Sequence, residues 1–170
     1  MFTVSADFIG DFKLGDNINH NLKILRYLYA RQSDPHDHDA WILRKPIIII
    51  IGSIAEAVLH DLHERMKLYT IEGVSGITTS ILHYVRGKKI DKLETYIASA
   101  KKHTLLGPKT EDIYDNLEEL RKLRNRIHIQ NEKNHFETND SQAFSLNRLI
   151  TAERTLERLL KTISEMAPFV

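Results

Sequence analysis

Apolar positions recur every three or four residues along most of the chain, and period-two alternation is rare. That spacing lines up apolar side chains on one face of a helix, so the chain reads as all-α. Ile18, Leu22, Leu25 and Tyr29 share the apolar face of a first helix predicted over 17–31. Arg31 to Asp39 is a loop that ends in cap-type residues. A long second helix follows to about Lys67, and Pro46 either kinks it or marks its first turn, because proline lacks the backbone donor. Its run from Ile47 to Leu59, broken by Gly52, Ser53 and Glu56, is too short to span a bilayer and predicts a buried core helix. After a break at 72–76, residues 77–85 are ambiguous between a short strand, a helix and irregular structure. Further helices are predicted over 90–103, 111–130 and 141–165, with a turn at Gly107-Pro108 and a polar loop over 131–140. The sum is an up-and-down bundle of four to five helices in one domain over 1–170, with residues 1–16 able to form an irregular N-terminal segment.

Composition narrows the functional classes. The 170 residues are 42% apolar and 28% charged, which suits a globular chain with a core of its own. The absence of cysteine excludes disulfides, thiolate metal sites and thiol catalysis, and fits a reducing compartment such as the cytoplasm. Met1-Phe-Thr-Val-Ser-Ala-Asp7 has no basic start followed by an apolar stretch, so no targeting segment and no membrane association are expected. The net charge of +1 gives no global pull toward nucleic acid, and any electrostatic argument has to be local.

The fourth predicted helix holds the main anomaly. Ile113, Leu117, Leu120, Leu123 and Ile127 form its apolar stripe, and at about 100° per residue Arg124 falls inside that stripe. His128 lies one turn later, about 40° away, and Arg121 sits near the same edge. A guanidinium on a core-facing stripe is costly unless it is paired or faces a second subunit. Two readings stand. Arg124 can snorkel or cap neighbouring carbonyls, with His128 near the helix end. Alternatively the two form a phosphate-binding and proton-moving pair, since arginine grips phosphate with parallel hydrogen bonds and histidine titrates near neutrality. Such a pair suits RNA phosphodiester cleavage without a metal: His128 takes the ribose 2′-hydroxyl proton and Arg124 stabilises the pentavalent phosphorus.

Leu123-Arg-Asn-Arg-Ile-His128, on the penultimate long helix of a small bundle, resembles the signature of the HEPN superfamily, an Arg followed by a polar residue with four to six residues before a His. The architectural likeness covers Ile47 to the C-terminus. It implies a helical bundle that dimerises, with Arg and His elements of two subunits meeting in a composite site. It also implies a metal-independent endoribonuclease, with no cofactor, in toxin–antitoxin or antiviral defence, with RNA and an antitoxin or other defence protein as partners. Inactive members bind RNA, nucleotide or a protein partner, and that is the alternative function. Arg124 is followed by the expected Asn125 but stands only three residues from His128. Arg121 has the longer spacing and is followed by Lys122. Either arginine is therefore a candidate.

A second anomaly lies on the core helix. Ser53, Glu56, His60 and His63 recur within about 80° of one another in an otherwise apolar segment. The carboxylate of Glu56 calls for a partner, and Arg124 is the economical one, so Glu56 is expected to orient the arginine, with Asn125, Ser53 and His60 in support. The competing readings are a plain solvent face and a metal site of Glu56, His60 and His63, for which no known zinc spacing is complete. His36 and His38 read as part of a capped loop, and no metal is expected. Arg86, Lys88, Lys89, Lys92, Lys101, Lys102 and Lys109 make the middle of the chain positive, and Arg121, Lys122, Arg124 and Arg126 add to it. Lys101, Lys102, Lys122 and Arg126 are the candidate RNA-backbone contacts, against the alternative of an ordinary solvated lysine face. No aromatic-rich RNA-binding motif accompanies them.

Overall fold

The computed structural model describes residues 6–34, 36–68, 77–127 and 139–166. Among them the chain is all-helical, with seven α-helices and no strand. They are α1 (Phe12–Gln32), α2 (Arg44–Leu68), α3 (Thr79–Gly87), α4 (Leu93–Lys102), α5 (Ile113–Asn125), α6 (Asp140–Ala143) and α7 (Leu146–Met166). A 3-10 turn over Ala40–Leu43 leads into α2, and Pro46 falls in the first turn, where its missing N–H has no intrahelical partner to lose. No helix among the described residues is long and apolar enough to cross a membrane.

Helix α2 is the axis of the bundle and packs against α1, α3, α4, α5 and α7. Ile47, Ile48, Ile51, Ile54, Ala55, Val58, Leu59, Leu62 and Met66 are all buried along it. A helix this apolar on nearly every side has to be covered all round. Each of the isoleucine, leucine, valine and methionine side chains among them stabilises the fold by about 1.5–3 kcal/mol relative to exposure. Leu117, Leu120 and Leu123 of α5 and Leu149, Leu156, Leu160 and Ile163 of α7 close the core from the other side.

Several boundaries differ from the sequence expectation. Helix α1 starts at Phe12 because the Asp11 carboxylate accepts from Leu14 N at 3.0 Å and caps it. Ahead of that cap, Ala6, Phe8 and Ile9 are buried, so this part of the N-terminal segment belongs to the core. The ambiguous 77–85 segment is largely helical, with Leu82 and Val85 turned inward. Helix α5 ends at Asn125 rather than 130, its exit tightened by bonds from Arg126 N to Leu123 O (3.1 Å) and from Ile127 N to Arg124 O (3.2 Å). The final helix is interrupted at Phe144, which leaves helical geometry to bury its ring. Between α4 and α5, Gly107 has φ +112°, a conformation that needs glycine, and Tyr114 Oη accepts from Leu106 N and donates to Gly107 O to hold the turn.

Candidate functional site

The site is built where α5 crosses α2. A Cβ added to Gly52 would lie 2.9 Å from Arg124 Cβ and 3.2 Å from its Cγ, so the glycine is what lets the arginine stem lie against the core helix. One turn further along α2, Glu56 pairs with the guanidinium: Arg124 Nη2 donates to Glu56 Oε2. Asn125 Oδ1 stands at 3.5 Å from Arg124 Nη1, at the limit of a hydrogen bond. The pairing expected from the two sequence anomalies is thus made. Arg124 keeps 34% of its side chain exposed and Glu56 24%, so water reaches the pair. A guanidinium has five N–H donors, and these two partners leave donors for an incoming acceptor.

The other candidates divide. Arg121 donates to Glu118 at 2.8 Å and lies 3.9 Å from Glu94 of α4, so it stands between two carboxylates. His128 lies outside the described residues. Ser53 faces solvent and donates to Ile49 O, as a helix-surface serine does, rather than to the Glu56–Arg124 pair. His60 turns to α4 instead, with Nδ1 2.8 Å from Tyr96 Oη. Burial and the charges of Glu64 and Glu56 push the Tyr96 hydroxyl up, so it stays protonated and able to donate to that nitrogen. His63, the last member of the polar stripe, is fully buried, which ends the solvent-face reading of the stripe at that point. Among the described residues no group of His, Asp and Glu has the geometry to hold a metal.

The expected RNA-backbone contacts also divide. Arg126 is buried and donates through Nε (3.1 Å) and Nη2 (2.8 Å) to Asp140, so it is not part of an open basic surface. The reason is the early end of α5, which lets Arg126 turn in as the cap residue. Lys101 pairs with Asp115 at 3.0 Å, and Lys102 sits 3.8 Å over the Tyr84 ring. Lys122 is half-buried on α5.

Two arrangements were not anticipated from the sequence. Asp61 and Arg65 of α2 form a buried pair at 2.8 Å, and Asp61 also accepts from Gly10 N at 3.1 Å. Their i,i+4 spacing was a visible signal. Asp140 bridges Lys45 and Arg126, and Lys45 and Asp140 line a cleft of about 290 Å³ together with Trp41 and Phe144. Nothing local marks it, because its walls lie a hundred residues apart. Comparison of the chain with protein-family models, curated proteins and solved structures found no match.

Proposed function

We infer that the chain is a HEPN-like metal-independent endoribonuclease, with Arg124 as the phosphate-holding group and His128 as the proton acceptor. Two copies of the α5 exit segment would meet in one composite site, and an antitoxin or another defence protein would be the partner. The observation that carries this reading is the setting of Arg124. Its stem is clamped on Gly52, its head is held by Glu56, and part of the guanidinium stays open to solvent. A cation held in place beforehand stabilises developing phosphoryl charge without reorganising at the moment of reaction. Arg121, flanked by two carboxylates, has less charge to offer.

The test is cleavage of single-stranded RNA by purified protein in excess EDTA. Wild type should leave cyclic-phosphate ends, and Arg124→Ala should lose on the order of 100- to 1,000-fold in rate. His128→Ala should be as severely impaired while both variants keep the wild-type helical content. Equal activity of wild type and both variants sinks the assignment. RNA binding without turnover by wild type points instead to a non-catalytic module.

A further inference from the structure

The polar stripe of α2 continues past the Glu56–Arg124 pair. Gly52, Glu56 and His60 follow one another at four-residue intervals, each about 6 Å further along the helix axis and turned by about 40°. Arg124 lies along the same line, with its stem on Gly52 and its head on Glu56. The guanidinium therefore runs along α2 toward the turn that carries His60.

His60 is half-buried and lines an open cleft of about 410 Å³ with Asp11, Asp61 and Glu64. One ring nitrogen is committed and the other is not. Nδ1 lies 2.8 Å from Tyr96 Oη, and the Tyr96 ring meets the imidazole edge-on at 5.9 Å between centroids. Nε2 has no partner among the described residues. A tyrosine hydroxyl donates to a neutral imidazole and accepts from a protonated one, so this contact orients the ring in both charge states. The carboxylates around His60 are each occupied. Glu56 holds Arg124, Asp61 holds Arg65, Glu64 accepts from Lys67 Nζ at 2.6 Å, and Asp11 caps α1. None of them stands as an unmatched charge against an incoming phosphate.

The cleavage inferred above needs a second proton transfer. His128 removes the 2′-hydroxyl proton, but the 5′-oxygen leaves as an alkoxide unless it is protonated as its bond to phosphorus breaks. We propose that His60 is the general acid that supplies this proton, an assignment that rests on the ribonuclease reading. The 2′-oxygen bonds to phosphorus, the bond from phosphorus to the 5′-oxygen breaks, and its electron pair takes the Nε2 proton of a protonated His60. The products are a 2′,3′-cyclic phosphate and a free 5′-hydroxyl, with His60 left neutral and His128 carrying the proton it removed. Tyr96 is the positioning residue that holds the ring for the transfer.

The test replaces the leaving 5′-oxygen by sulfur. A thiolate leaves without a proton, so an oligomer with a 5′-bridging phosphorothiolate needs the base and not the acid. His60→Gln keeps a group that can bond Tyr96 and cannot act as an acid. On ordinary RNA it should lose on the order of 100- to 1,000-fold in rate, and on the sulfur substrate it should cleave within about threefold of wild type. His128→Ala should stay impaired on both. Tyr96→Phe should lose about tenfold on RNA and recover on the sulfur substrate. Equal losses of His60→Gln on both substrates make His60 a structural residue and overturn the proposal. Full activity of His60→Gln on RNA, or sulfur rescue of His128→Ala instead, overturns it and leaves the ribonuclease standing. No cleavage of either substrate by wild type overturns both readings.

Discussion

Helix α2 holds two arginines by two carboxylates, and the pairs differ in how much water reaches them. At Asp61–Arg65 the side chains are 3% and 9% exposed, at Glu56–Arg124 24% and 34%. The buried pair is consumed by the fold. Asp61 also accepts from Gly10 N and lies 3.4 Å from Asp11 N, which fastens the segment before α1 onto α2. Burial pushes the Asp61 carboxyl up, against the opposing pull of Arg65 and of those backbone donors. The open pair adds little to stability, since ion pairs in contact with water contribute about 0–1 kcal/mol. It keeps one cation in place with donors to spare. Two carboxylates on one core helix thus serve differently, one as a fastener and the other as the holder of a presented group.

The largest effect should come from the fastener. Asp61→Ala strands the Arg65 charge in the core and should cost about 3–5 kcal/mol in urea unfolding. A loss below about 1 kcal/mol would erase the distinction between the pairs.

His63 sharpens the same contrast by pH. Its Nδ1 lies 2.7 Å from Leu59 O, and burial pushes the imidazole down to about 4. The folded state therefore disfavours a proton that the unfolded chain takes up near pH 6.5. Stability should be full above about 6.5 and fall as pH drops toward about 4, by up to about 1.4 kcal/mol per unit. His63→Leu should flatten that window in unfolding curves taken at successive pH values, and an unchanged slope would assign it to other groups.

Next in size is Gly52→Val. Its Cβ would meet the arginine stem near its root, where a flexible tip cannot give way, so about 1–3 kcal/mol of stability should go, and the proposed RNA cleavage should fall as Arg124 is displaced. Smallest on stability is Glu56→Gln, below about 1 kcal/mol by thermal melting. The proposed RNA cleavage should nevertheless slow on the order of tenfold to a hundredfold, because a loosened arginine is mispositioned. Matching losses of stability and activity would make Glu56 a fastener like Asp61.

The sequence by itself determined the helical class, the core role of α2 and the Glu56–Arg124 pairing. Three-and-four periodicity is a property of the chain alone, and a carboxylate and a guanidinium on two apolar stripes have few other ways to be satisfied. Tertiary structure decided the rest. The pair of buried Arg126 with Asp140 joins two separate helices' ends, and Phe144 is buried where helical geometry breaks, neither of which is a local preference. The Trp41–Phe144 cleft exists only because packing brings residues a hundred positions apart onto two sides of one slot. Which arginine is open, and which residues meet across one cleft, are questions of distance in space, and helical periodicity carries no information about them.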